Sequence, residues 1–194
     1  ILAVTATDTS ALSGTYPKAC LRKYWAQPLR DSLMHETGLR ILIRKVQMIA
    51  AQYEKALIPI YSYSRDHYMR IFFRCKKGKK KVDQILKLHG KFNNSGPMWL
   101  GKLWDEKLAC KIYKQDKENK FLRIIKDESR IDSIGFYDIH NIIKKHRIKI
   151  IPRKKDIIKK IKKLKHKVSE THFNPEALRS DIDLKDMLKI LNPA

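Results

Sequence analysis

Cysteine, glycine and acidic residues are all scarce in this 194-residue chain, and each shortage closes off a class of function. The three cysteines, Cys20, Cys75 and Cys110, are widely spaced and odd in number. That argues against a disulfide scaffold and for a reducing, intracellular compartment. There is no Cys-x-x-Cys pair, so a structural zinc is not expected. None of the seven glycines belongs to a Gly-x-Gly run after a strand, so no glycine-rich cofactor loop is present. The apolar runs fall short of the roughly 18 to 20 residues a membrane span needs, and charge interrupts each one. No secretory peptide is visible, and the chain reads as soluble.

What is abundant is lysine. Forty-three basic residues face 20 acidic ones, a formal charge of +23. Lysine-rich thermophile surfaces normally balance Lys with Glu. The excess points to a polyanion, because phosphate contacts release condensed counterions. Nucleic acid is the leading partner on this ground, with an anionic membrane surface or plain solubility as the alternatives. A hydrophobic fraction of 43% is enough for a packed core.

The run Ile1, Leu2, Ala3, Val4 is apolar on both faces, the pattern of a central parallel strand covered by helices. Ligands in open α/β sheets sit beyond the carboxyl ends of strands, so Thr5, Thr7, Asp8 and Thr9 fall where chemistry is done. An amphipathic helix is predicted over 36–53, with Leu39, Leu42, Ile43, Val46, Ile49, Ala50 and Tyr53 on one stripe. Two β-rich runs, 57–63 and 68–75, flank the polar turn Ser64-Arg65-Asp66-His67 and read as a hairpin. Composition then shifts at Lys76, where Lys76, Lys77, Lys79, Lys80 and Lys81 crowd around Gly78. The domain boundary is placed there, giving domains 1–75 and 76–194. The lysine run is either a solvated linker or a phosphate contact. Residues 96–113 look like strand and turn.

Three helices follow, over 119–129, 137–146 and 154–165, and then a β-prone run at 167–173. Together 119–175 suggest a winged-helix-like unit whose lysine-clad third helix stands in the recognition position. The aspartates Asp181, Asp183 and Asp186 favour a last helix through its dipole.

AVTATDTSALSG, YPKACLRKYWAQPL, HETGLRILI, GPMWLGKLWD, FYDIHNI and THFNPEALRSD occur in an order that resembles the tRNA guanine-26 N2-dimethyltransferase family of archaea and eukaryotes. The likeness runs over nearly the whole chain. It implies an α/β fold: the C-terminal half of a Rossmann-like class I methyltransferase sheet, followed by a basic tRNA-binding domain. The implied reaction moves methyl groups from S-adenosylmethionine to the exocyclic N2 of a tRNA guanine, with no metal. The family's donor-binding glycine loop and its Asp-Pro-Phe motif do not occur in this sequence. The chain by itself is therefore expected to be inactive unless the N-terminal half is supplied in cis or in trans. The alternative is a stand-alone, non-catalytic basic winged-helix protein that binds nucleic acid.

Under the resemblance, Asp8 is the carboxylate nearest the target base, with Thr7 and Thr9 lining the pocket. The competing role is a turn cap. Arg22, Lys23, Tyr24 and Trp25 read as a phosphate and stacking cluster, or the two aromatics belong to the core. Lys76, Lys77, Lys79, Lys80, Lys154, Lys155, Lys159 and Lys163 are the further tRNA-binding candidates. His35 and Glu36 are expected to cap the following helix, and Trp99 and Trp104 to anchor one domain on the other. Two departures stand out: Cys75, His89 and Cys110 lie where relatives carry paired cysteines, and Glu170 stands where relatives carry Arg.

Overall fold

The computed structural model describes residues 1–148 and 152–192. They form two compact units, Ile1–Ala109 and Cys110–Ala194. The first unit therefore takes in the stretch from Lys76 onward, which composition had assigned to the second domain.

In the first unit, β1 (Leu2–Ala6) leads through a tight turn to α1 (Pro17–Tyr24) and then α2 (Met34–Ala51). The hairpin of β2 (Lys55–Arg65) and β3 (Tyr68–Lys77) follows, with Asp66 taking the positive φ of 51° that its tight turn requires. The sheet order is β1-β3-β2. Among the described residues β1 pairs with β3 alone, antiparallel, from Leu2 opposite Phe73 to Ala6 opposite Met69, and the parallel neighbours of a central strand are not among them. Ile1 is 92% exposed.

α2 buries every residue from Glu36 to Ile43. Its close approach depends on Gly38, where a Cβ would sit 2.8 Å from the Leu12 carbonyl oxygen and 3.0 Å from Met69 Cε. The segments SALSG and HETG thus interlock through backbone contact. Glu36 lies in the first turn of α2. It pairs with Arg40 at 2.9 Å in full burial, and Arg40 Nη1 donates to the carbonyls of Trp99 (3.1 Å) and Gly101 (2.8 Å).

The lysine run is not a linker. Lys76 and Lys77 complete β3, and α3 (Lys79–Leu86) buries Val82 and Ile85. A second hairpin, β4 (His89–Phe92) with β5 (Ser95–Trp99), lies along α2. His89 Nε2 meets Gln47 Oε1 at 2.8 Å, and Gln47 Nε2 donates to the Leu57 carbonyl at 2.9 Å. The Trp99 ring lies over Gly101, and Trp104 Nε1 donates to the Ser62 carbonyl at 2.7 Å. Both indoles are buried within the first unit, at 3% and 5% exposure.

α4 (Glu106–Gln115) replaces the strand and turn expected near Tyr113. In the second unit, α5 (Lys120–Glu128) is capped by Asn119, whose Oδ1 accepts from the Phe121 and Leu122 amides. β6 (Tyr137–Asp138) precedes α6 (Ile139–Lys145), capped by Asp138. Then come α7 (Lys154–Lys163), β7 (Val168–Glu170), β8 (Ala177–Ser180) and α8 (Leu184–Leu191), the last capped by Asp183. The sheet order is β6-β8-β7, antiparallel throughout. Ile139, Ile143, Ile157, Ile161, Leu178 and Met187 form the core. Beside it Glu128, wholly buried, takes Arg179 Nε at 3.0 Å on one oxygen and His172 Nδ1 at 2.5 Å on the other.

Candidate nucleic-acid interface and substrate corner

The carboxyl end of β1 turns at Thr7-Asp8-Thr9, and all three residues stand at the surface or close to it. Asp8 Oδ1 accepts from the Ser10 hydroxyl at 2.8 Å and the Ser10 amide at 3.3 Å, so it does cap the turn. Its other oxygen lies 3.4 Å from Lys23 Nζ. The Ser10 hydroxyl, with Lys23 after it, holds the Asp8 carboxyl below its usual range. It stays ionised and open to further donors. Tyr24 is half-buried, and burial together with the Asp8 charge raises its hydroxyl above the ordinary value. Arg22 and Lys23 are exposed on the same short helix. The structure thus brings Asp8, Lys23 and Tyr24 together.

A further group at this end of the sheet escaped sequence reasoning. In the ladder Thr5 faces Arg70, and Arg70 faces Tyr63 on its other side. The Tyr63 ring stands edge-on to Tyr68 at 6.0 Å, and Arg70 lies over Phe72 at 5.3 Å. The alternation Tyr68, Arg70, Phe72 was the available signal, since residues two apart share a face.

The lysine candidates divide. Lys76, Lys77, Lys79 and Lys80 are exposed, with Lys79 3.5 Å from Glu54. Lys155, Lys159 and Lys163 are exposed on α7. Lys154 has a local job: it lies 3.2 Å from Glu170 Oε1 and donates to the Pro175 carbonyl at 2.6 Å. Glu170 also meets Arg123 at 3.7 Å, so this acid is an internal tie within the second unit. Lys160, Lys163 and Lys189 edge a groove of about 460 Å³ between α7 and α8, floored by Leu164 and Ile190.

Among the described residues no group of three or more His, Cys, Asp or Glu is placed to hold a metal ion, and no helix is long and apolar enough to cross a membrane.

Comparison with known proteins yields one family. The model for N2,N2-dimethylguanosine tRNA methyltransferases matches residues 1–92 and 86–192. A tRNA (guanine(26)-N(2)/guanine(27)-N(2))-dimethyltransferase of Aquifex aeolicus is 35% identical, aligned over 97% of this chain and 56% of the relative. A tRNA (guanine(26)-N(2))-dimethyltransferase of Methanocaldococcus jannaschii is also 35% identical, over 98% and 58%. Among solved structures, Trm1 from Pyrococcus horikoshii, in complex with S-adenosyl-L-methionine, superposes with a TM-score of 0.87 at 34% identity, covering 98% of this chain and 58% of that one. The chain therefore spans a little over half the length of the proteins it matches.

The turn after β1 is not a glycine cradle for such a donor. In the turn after β1 the glycine with a positive φ is Gly14, and a Cβ there would fall 2.4 Å from the Leu29 carbonyl oxygen. The chain's own backbone fills that space.

Proposed function

The chain belongs to the N2,N2-dimethylguanosine tRNA methyltransferase family, and from that membership we propose that it is the substrate-side part of an enzyme that methylates the exocyclic N2 of guanine 26 in tRNA. In this reading the first unit is the far end of a Rossmann-like sheet. The donor, S-adenosylmethionine, is held by residues outside this chain, in an N-terminal half joined in cis or supplied in trans. The second unit binds tRNA through a winged-helix-like fold. What supports that fold is the succession α5, β6, α6, α7, β7, β8 with the sheet order β6-β8-β7, which leaves α7 in the place of a recognition helix.

The observation that carries the reading is the Asp8 corner. The exocyclic amine of guanine is a poor nucleophile because its lone pair is delocalised into the ring, so the base must be held and oriented. An ionised carboxylate at a strand's carboxyl end, beside a helix carrying Arg22, Lys23 and Tyr24, suits that task. Asp8 accepts a hydrogen bond from the amine, Thr7 and Thr9 line the pocket, and the basic residues hold neighbouring phosphates. A base within a tRNA junction must leave its stack to arrive there.

The test has two arms. This chain alone should bind tRNA with a steep salt dependence and transfer no methyl group. A longer protein that contains these residues together with the family's N-terminal half should be active. In it Asp8→Ala should lower turnover on the order of 100-fold while tRNA affinity changes little. Normal turnover in that variant would reduce Asp8 to a turn cap.

A further inference from the structure

Trp25 follows α1 in the left-handed region, with φ 54° and ψ 41°, its amide donating to the Leu21 carbonyl at 3.0 Å. This closing position usually falls to glycine, because a Cβ there is strained by roughly 1 to 2 kcal/mol. The neighbours enforce the conformation. Ala26 is fully buried, and Gln27 exchanges two backbone hydrogen bonds with Gly96, at 2.8 and 2.9 Å. The indole is thereby turned outward and remains 55% exposed. Core packing does not account for it, and for folding alone a glycine would serve better. Lys45 Nζ sits 3.4 Å from the ring centroid, fixing the ring's attitude from one side.

A rigid, outward indole with an ammonium on one face, two residues beyond the lysine that meets Asp8, is built for a flat partner with charge at its margins. We infer that Trp25 is a stacking platform for an unpaired nucleobase of RNA, with Lys45, Arg22 and Lys23 receiving the phosphates on either side. The inference rests on the tRNA-binding reading above and goes beyond it, assigning a nucleotide subsite to the first unit. Every nucleobase offers a π-face, so the platform holds a nucleotide next to the Asp8 corner without reading its identity.

Intrinsic fluorescence isolates this residue, because the other two tryptophans, Trp99 and Trp104, are 3% and 5% exposed. Titrating the chain with an unmodified tRNA transcript, and separately with a short single-stranded oligoribonucleotide, should quench the exposed component. Trp25→Asn keeps a residue that tolerates the left-handed region, so it should fold normally. It should bind both RNAs about tenfold more weakly with the salt slope unchanged, and Trp25→Phe should restore most of the loss. Tight binding without quenching, or a Trp25→Asn variant that melts earlier yet binds as the wild type does, would overturn the inference and leave the tRNA reading standing. Failure of the wild-type chain to bind either RNA at low salt would remove both.

Discussion

At the scale of single residues, backbone proximity governs more than side-chain chemistry does. Gly38 is helical and needs no unusual φ, yet the Leu12 carbonyl oxygen lies 2.8 Å from where its Cβ would be. A backbone atom cannot swing aside as a side chain can, so either α2 or the turn at residues 10–14 must move. Gly38→Ala should destabilise the first unit by about 1 to 3 kcal/mol in urea unfolding, although alanine is the better helix former. A stability equal to wild type would mean the turn relaxes freely. His89 makes a second case. Burial, reinforced by the Arg44 charge, lowers its pKa to about 4. The unfolded chain takes up a proton near pH 6.5, whereas the fold resists it until about pH 4. His89 therefore contributes stability above pH 6.5 that is lost as pH falls toward 4, on the order of 1 to 2 kcal/mol after allowing for its partial exposure. His89→Gln should flatten the fall in unfolding free energy across that window.

Elements are held by a few buried polar ties, and these were the least legible features of the sequence. In the second unit, Glu128 on α5, His172 beyond β7 and Arg179 on β8 meet in full burial, and Arg179 Nη1 reaches the carbonyls of Ser133 (2.9 Å) and Gly135 (3.0 Å). Burial opposes charge on Glu128, yet the His172 and Arg179 charges hold its carboxyl below the ordinary value. Its contribution is present above the unfolded carboxylate range and lost as pH falls below it. Glu128→Ala strands Arg179 without its carboxylate and should cost about 3 to 5 kcal/mol, seen as early melting of the second unit. The sequence offered no hint of this tie, because partners 44 and 51 positions apart follow no period. Period, by contrast, was readable: α2, the β2–β3 hairpin, α5 and α7 lie where the sequence pattern put them, and α8 follows the aspartates that favour it. The helix at Lys79–Leu86 was not, since a dense charge hid the pair Val82 and Ile85. The Asp8 corner was legible as a place and less so as a geometry. Its pairing with Lys23 follows from the β1 to α1 turn, whereas the row Thr5, Arg70, Tyr63 needed the register of the sheet.

For the whole molecule, net charge and charge placement make different claims about RNA binding. If +23 acted only as a diffuse field, any lysine would count alike. The structure separates them. Lys159 and Lys163 are exposed on α7, while Lys154 on the same helix is bound to Glu170 and the Pro175 carbonyl. Replacing Lys159 and Lys163 together by Ala should weaken binding to all tRNAs alike and reduce the slope of log affinity against log salt by about 1 to 2, as two phosphate contacts are lost. Lys154→Ala removes one such charge but should leave that slope nearly unchanged and instead lower the melting temperature of the second unit. Filter binding across a salt series, beside a melting curve for each variant, distinguishes the two. Equal slopes for the wild type and the Lys159 and Lys163 double variant would take α7 out of the footprint, and a slope that falls as much per charge removed for Lys154→Ala would return the binding to undirected charge.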